Sequence, residues 1–222
     1  MKPLIISFFS DIEDNTYYSD HGKRLIEECE SLGLRYDIKE KESIGDYRLN
    51  CLSKPKYILD KLDEKQEDLL WLDVDSKLHK EPIGFDNIES DLAFTTANGN
   101  LSGMKASPIF FKNNDKSRVF IRTWIKATSN LLEQDIFKFD HEPLFQLIPM
   151  FLQSKSISMT FVGEEYCAWP GNTNDNTVVT MGLADAESKK EKLRNLGMSE
   201  DKIEWQSPGN KHEQSESNRS GV

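Results

Sequence analysis

Eight residues, Leu69-Leu70-Trp71-Leu72-Asp73-Val74-Asp75-Ser76, constrain the fold of this chain more than any other stretch. A short, wholly apolar run reads as a buried strand, and this one ends in two aspartates flanking a valine. Side chains alternate across a strand, so Asp73 and Asp75 are expected to leave one face while Val74 turns the other way into packing. Neighbouring carboxylates at the end of a buried strand repel each other and lose solvation unless a cation neutralises them. Hard oxygen ligands suit Mn²⁺ or Mg²⁺, which complete their shells with water and substrate phosphate. The pattern therefore predicts a metal-bridged diphosphate ligand. The competing reading is a strand ending in solvated acids that cap the next turn. Composition alone supplies about one Asp-x-Asp in so acidic a chain, so placement carries the argument, not occurrence.

The 222 residues suffice for a sizeable core, and a hydrophobic fraction of 37% with a charged fraction of 30% describes an ordinary soluble domain. A formal net charge of -10 argues against a nucleic-acid groove or an acidic membrane surface as the main partner. It does not exclude a nucleotide, because a bound divalent cation inverts the local sign. Cys29, Cys51 and Cys167 are odd in number and far apart. They fit neither a disulfide framework nor a zinc site, which predicts free thiols and a cytoplasmic setting. The apolar run at Leu4–Phe9 is too short for a signal sequence and leads straight into Asp11, Glu13 and Asp14, so it reads as a first strand. No stretch approaches membrane-spanning length.

Strand and helix alternate through the first third. Asp14, Asn15 and Thr16 offer N-cap chemistry for a helix carrying Tyr18, Leu25, Ile26, Cys29 and Leu32, with Gly33 as its stop. Arg35–Glu40 reads as a second strand, Pro55 as the first turn of a helix through Leu62, and Leu69–Val74 as a third strand. This order implies parallel strands joined by right-handed crossovers. The middle reads as mixed: strands at 91–96 and 108–111, a helix around Val119–Ile125, and another around Leu144–Leu152 interrupted or bent near Pro149. Late strands are expected at 158–162 and 177–181, and a charged helix at 186–196. Residues 1–205 form the expected single domain; the polar stretch 206–222 cannot offset its ordering entropy and is expected to be disordered.

In open α/β sheets ligands sit at the carboxyl ends of the strands, which gathers the loops after the first and second strands with Asp73 and Asp75. Tyr17 and Tyr18 follow the first loop, where a ring can stack on a base or simply pack in the core. Lys54 opens a predicted helix, an unfavourable place for a cation unless it helps to hold an anion; the alternative is solvent exposure. Asp140-His141-Glu142-Pro143 precedes a predicted helix, so Asp140 is also a candidate N-cap. No Gly-rich phosphate loop, nucleophile elbow or zinc-spaced Cys/His cluster is present.

Taken in order, Ile5-Ile6-Ser7-Phe8-Phe9, Tyr17-Tyr18, Lys23-Arg24-Leu25-Ile26, the segment Gly45 to Pro55, and Trp71 to Ser76 resemble the small nucleotide-sugar glycosyltransferases of bacteria and chlorella viruses. Ser107 to Asn113 looks like that family's strand after the metal motif, and Asp140 to Leu144 like its acidic acceptor-side segment. The resemblance implies a GT-A-like α/β fold: a Rossmann-like mixed sheet flanked by helices in one domain. It further implies a metal-dependent transfer of sugar from a nucleotide diphosphate, UDP-sugar favoured, to a hydroxyl of a glycan or other acceptor. Asp73 and Asp75 would hold Mn²⁺ or Mg²⁺. Asp73, Tyr17, Asn50, Lys54 and Ser107 would meet the donor nucleotide, with Tyr17 as the base-stacking ring. Asp140 or Glu142 would be the acceptor-side carboxylate. Many relatives carry a further metal-ligating histidine near the end of the domain; here Met181 stands at that place, and a thioether is a poor ligand for a hard cation.

Two other readings remain open. Apolar strands running into Asp-x-Asp also occur in haloacid-dehalogenase-type phosphatases, although Lys77 departs from their pattern and the motif there usually sits on the first strand. A non-catalytic nucleotide-sugar-binding module, its metal site partly decayed at Met181, is the other.

Overall fold

A computed structural model describes residues 2–11, 16–44, 47–97, 99–170 and 172–182. The strand β1 (Leu4–Phe9) is followed by α1 (Tyr17–Ser31), β2 (Tyr36–Glu40), α2 (Tyr47–Leu52), α3 (Lys54–Lys65) and β3 (Leu69–Trp71). Next come β4 (Lys77–Leu78), β5 (Leu92–Thr96), β6 (Met104–Phe111), α4 (Asp115–Glu133), α5 (His141–Gln153), β7 (Met159–Val162) and β8 (Val179–Thr180). Six strands form one sheet in the order β2-β1-β3-β6-β5-β7, while β4 and β8 pair apart from it. β1 pairs in parallel with β2 and β3, as the alternation of strand and helix predicts. β6 enters antiparallel to both β3 and β5, and β7 returns parallel to β5, which makes the sheet mixed.

The period-two pattern divides the core between two faces. Leu4, Ile6, Leu69, Trp71, Ile109 and Phe111 face Ile58 and Leu62 of α3, Phe120 and Trp124 of α4, and Leu144 and Ile148 of α5. Ile5, Leu70, Leu72 and Phe110 take the other face with Leu25 and Cys29 of α1 and with Tyr166 and Val179. Each such fully buried aliphatic or aromatic side chain contributes roughly 1.5–3 kcal/mol relative to exposure. Gly22 allows α1 to lie against β1, because a Cβ there would collide with the Phe9 ring. Helix α1 stops before Gly33, whose φ of 63° admits few other residues.

Several boundaries differ from expectation. The third strand ends at Trp71, so Asp73 and Asp75 lie on a turn beyond it and not on the strand itself; the Ser76 amide donates to the Asp73 carbonyl at 2.9 Å. Helix α2 occupies a segment to which the sequence reading assigns no element. Helix α5 runs to Gln153 with Pro149 inside it, on the exposed side where the proline displaces no core contact. The expected helix at 186–196 and the polar tail at 206–222 lie outside the described residues. All three cysteines are free thiols, and no helix among the described residues is long and apolar enough to cross a membrane.

At the sheet edge, Asp37 of β2 is buried and ringed by lysines: Lys61 Nζ at 2.9 Å, Lys65 Nζ at 2.9 Å and Lys39 Nζ at 3.2 Å. Burial alone would raise its carboxyl, but the three ammonium groups outweigh that and bring it to about 2.

Candidate active site

The carboxyl ends of β1 and β3 open into a cavity of about 490 Å³. Its wall includes Phe8, Phe9 and Ser10 after β1, Tyr18 of α1, Asn50, Cys51 and Lys54 of α2 and α3, Asp73 to Ser76, Ser107 of β6, and Asp140 at the start of α5. The sheet rim thus collects Asn50, Lys54, Asp73, Asp75, Ser107 and Asp140 from distant parts of the chain.

The acidic turn is held in place by four groups. Trp71 Nε1 donates to Asp73 Oδ1 at 2.8 Å, and the Asp73 amide donates to Ser107 Oγ at 2.8 Å. Arg24 of α1 reaches across and donates to the carbonyls of Asp75 and Ser76 at 3.2 and 2.6 Å. Glu28, one turn along, accepts from the Leu78 amide at 2.8 Å and pairs with Arg24 at 3.3 Å. The sequence pointed to Asp73 and Asp75 but not to these braces. The Arg24/Glu28 spacing of one helical turn was the only local sign of them.

Lys54 is the central charge. Its Nζ sits 3.0 Å from Asp73 Oδ1 and 2.9 Å from Asp140 Oδ2, and 5.4 Å from the centroid of the Trp71 ring. Burial alone would lower its pKa, but the charges of Asp140 and Asp73 outweigh burial and raise it, so the ammonium persists at neutral pH. The side chain is buried, which removes the solvent-exposed alternative. Asp140 does not cap α5 with its side chain; its carboxylate goes to Lys54, and its carbonyl accepts from the fully buried Trp124 indole at 2.8 Å.

The remaining predicted residues separate. Tyr17 is buried against Tyr18 and His21 and is absent from the cavity wall; Tyr18 takes the place expected of it, with its ring stacked toward Tyr47 at 6.1 Å. The reason is helical phase: successive residues on α1 point about 100° apart, so only one of the two tyrosines can face the cavity. Glu142 is also absent from the wall, because its carboxylate turns back to accept from the Phe139 amide. Asn50 lines the cavity while bracing the preceding loop, accepting from the Ile44 amide at 3.1 Å and donating to Ser43 Oγ at 3.0 Å. Cys51 lines it as an inert thiol pushed up to about 12 by burial.

A hard divalent cation fits this donor set incompletely but chemically. Asp73 and Asp75 present carboxylate oxygens from one turn, and the Trp71 hydrogen bond and the Lys54 ion pair to the Asp73 carboxylate both fall on Oδ1. Asp75 lies against Gly182, where a Cβ would meet its carboxylate. Met181 does line the cavity, and among the described residues no cluster of three or more His, Cys, Asp or Glu side chains could supply a fuller shell. The other positions would fall to water and diphosphate oxygens.

No family model matches the chain. No curated protein matches it either. Among solved structures, the chain is similar to a glycosyltransferase involved in glycosylating the major capsid of PBCV-1, at 12% identity and a TM-score of 0.60, over 88% of this chain and 100% of that one. It also matches the galactosyltransferase LgtC, solved with donor and acceptor sugar analogs, at 8% identity and a TM-score of 0.48, over 91% of this chain and 99% of that one. A third match is the glycosyltransferase GlyE of Streptococcus pneumoniae, at 11% identity and a TM-score of 0.45, over 75% of this chain and 46% of that one. The acidic turn follows the third strand in the chain and not the first. The chain therefore has the GT-A-like fold of glycosyltransferases, a mixed six-stranded sheet flanked by helices, with a carboxylate-rich cavity at its rim.

Proposed function

We propose that this protein is a metal-dependent glycosyltransferase that moves a sugar from a nucleotide diphosphate, UDP-sugar favoured, to an acceptor hydroxyl on a glycan. The observation that carries this reading is Asp73 and Asp75 on one braced turn, with the Lys54 ammonium beside them, in a cavity at the carboxyl ends of β1 and β3. The shared fold supports it.

In this reading the Tyr18 side of the cavity takes the nucleoside, and Asn50 keeps the loop beside it in shape. Asp73 and Asp75 would hold Mn²⁺ or Mg²⁺, which supplies charge neutralisation for the diphosphate leaving group. Lys54 does two jobs in one position: it holds Asp73 and Asp140 at fixed spacing and adds fixed positive charge close to the diphosphate. Asp140 is committed to Lys54, so we assign it the orientation of sugar hydroxyls at the reacting centre. Trp71 and Ser107 keep Asp73 from swinging away, and Arg24 does the same for the backbone of Asp75.

The test is a binding and transfer screen with UDP-, GDP-, ADP- and dTDP-sugars, with Mn²⁺ or with EDTA, repeated on Asp75→Ala. Cation-dependent binding lost in the variant supports the reading. Binding of no sugar nucleotide, or binding indifferent to EDTA and to Asp75→Ala, overturns it. Met181 on the cavity wall favours a second reading, a module that binds the donor without using it. Metal-dependent binding with neither hydrolysis nor transfer to any acceptor would select that one.

A further inference from the structure

The loop between α4 and α5 and the first turns of α5 bring a second group of aromatic rings to the cavity. Phe139, His141 and Phe145 all line it. The Phe139 and His141 rings lie almost parallel, 8° apart with centroids at 6.2 Å, and Phe145 tilts against His141 at 6.0 Å. Beside Phe139 stands Phe137, its centroid 5.8 Å away and its side chain 77% exposed. Trp169 lines the same cavity with Lys105 Nζ 5.1 Å over its ring.

This wall is fastened from outside. Arg48 of α2 donates from Nε to the Lys138 carbonyl at 3.0 Å and from a terminal nitrogen to the Ile136 carbonyl at 2.6 Å, and its guanidinium stands 5.4 Å from the centroid of the Phe137 ring. At the other end of the loop the Trp124 indole pins the Asp140 carbonyl at 2.8 Å. Exposed rings ordinarily turn inward or move; here the backbone is clamped at both ends while Phe137 and His141 stay exposed, which is preorganisation for a ligand.

We propose that residues 137–145 form a binding platform for the acceptor, that the acceptor is a saccharide stacked by the C–H face of its ring on Phe139 and His141, and that Arg48 is the positioning residue of the platform. The inference rests on the glycosyltransferase reading above and adds the side chains that seat the acceptor and the face by which it binds. A pyranose has two apolar C–H faces and a belt of hydroxyls around its edge. The wall matches that pattern, with flat rings in the same cavity as Asp140 and Lys105, which can meet the hydroxyls. An acyl chain would need a continuous apolar groove, and this wall is interrupted by those charges. In this reading the nucleoside end of the donor takes Tyr18 and Tyr47, and Tyr47 meets Phe139 at 5.7 Å, where the two ligands would adjoin.

The experiment uses the full chain, with methyl β-D-galactopyranoside, methyl α-D-glucopyranoside and methyl β-D-xylopyranoside as probes and glycerol as the non-ring control. Ligand-observed NMR is recorded in the presence of UDP and Mn²⁺, with UDP affinity measured in parallel. At least one glycoside should bind where glycerol does not. Its Kd should rise by about tenfold in Phe139→Leu, which keeps apolar bulk and removes the ring face, and similarly in His141→Ala at an exposed position. Arg48→Ala should weaken the glycoside, Arg48→Lys should restore part of the loss, and UDP affinity should stay unchanged in all four variants. Glycoside binding that is equal in wild type, Phe139→Leu and His141→Ala overturns the platform. So does UDP binding with no glycoside bound, which leaves the donor reading intact. Failure of UDP itself to bind overturns the donor reading instead, and with it the acceptor role given to these rings.

Discussion

Two buried clusters of lysine and aspartate use the same chemistry in opposite proportion. At the sheet edge one carboxylate, Asp37, is surrounded by Lys39, Lys61 and Lys65. In the cavity one ammonium, Lys54, is divided between Asp73 and Asp140. The edge cluster has positive charge in excess, shared with Glu64, and Lys39 and Lys65 reach solvent while Lys61 is buried. It fastens α3 to β2 and asks nothing more of its surroundings. The cavity cluster, with Asp75 nearby, has negative charge in excess. In the proposed reading a divalent cation would restore the balance there. Charge balance thus separates a structural pin from a binding site where residue types alone do not.

The comparison is broken most readily at Lys54. Lys54→Met leaves Asp140 buried without its counter-charge and should cost about 3–5 kcal/mol in urea unfolding. Adding Asp140→Asn should recover part of that stability while leaving transfer abolished. A loss below about 1 kcal/mol in the single variant would mean that Lys54 does not hold the cluster together. At the edge, Asp37→Asn should cost about 2 kcal/mol near neutral pH without altering transfer per folded molecule. The sign follows from its depressed folded-state pKa. The ionised carboxylate stabilises the fold above the unfolded value of about 4, and this contribution is lost as pH falls toward about 2. Wild type and variant should therefore converge in stability over that window; a constant gap would contradict the assignment.

A smaller effect sharpens the contrast. Gly182→Ala places a methyl group against the Asp75 carboxylate and should weaken Mn²⁺-dependent donor binding by about tenfold through misplacement of that carboxylate. Isothermal titration in Mn²⁺ and in EDTA separates this from a general loss. The smallest effect belongs to the exposed Lys56–Asp60 pair on α3. Lys56→Ala should shift stability by less than about 0.5 kcal/mol, which fixes the scale of a lysine–aspartate pair that burial does not strengthen.

The first half of the molecule was largely legible in its sequence because its signals are local. The apolar runs at Leu4–Phe9 and Leu69–Trp71 mark strands buried on both faces. Gly33 and Pro55 mark where one helix stops and another starts. The position of Asp73 and Asp75 at the rim followed from those elements, even though the turn, and not the pleat of a strand, sets their direction. What stayed hidden depends on contacts across the fold. Lys54 finds Asp140 only after α5 packs on α4, and no periodicity encodes that meeting. Nor does the chain announce that β6 slips between β3 and β5 in reverse sense. Tyr17 and Tyr18 differ by a single helical step, and only the docking of α1 on β1 decides which ring faces the cavity. Glu142 was indistinguishable from Asp140 until the start of α5 turned its carboxylate back toward the Phe139 amide.

The bond from the Trp124 indole to the Asp140 carbonyl ties the floor of the cavity to the deepest layer of the apolar core. Loosening that floor therefore requires disturbing the packing of α4 and α5, whereas the rings above it can be exchanged at the surface. A protein built this way can change what it recognises without touching what holds it together. Redesign of its ligand preference belongs at Phe137, Phe139 and His141, with Asp140 left alone.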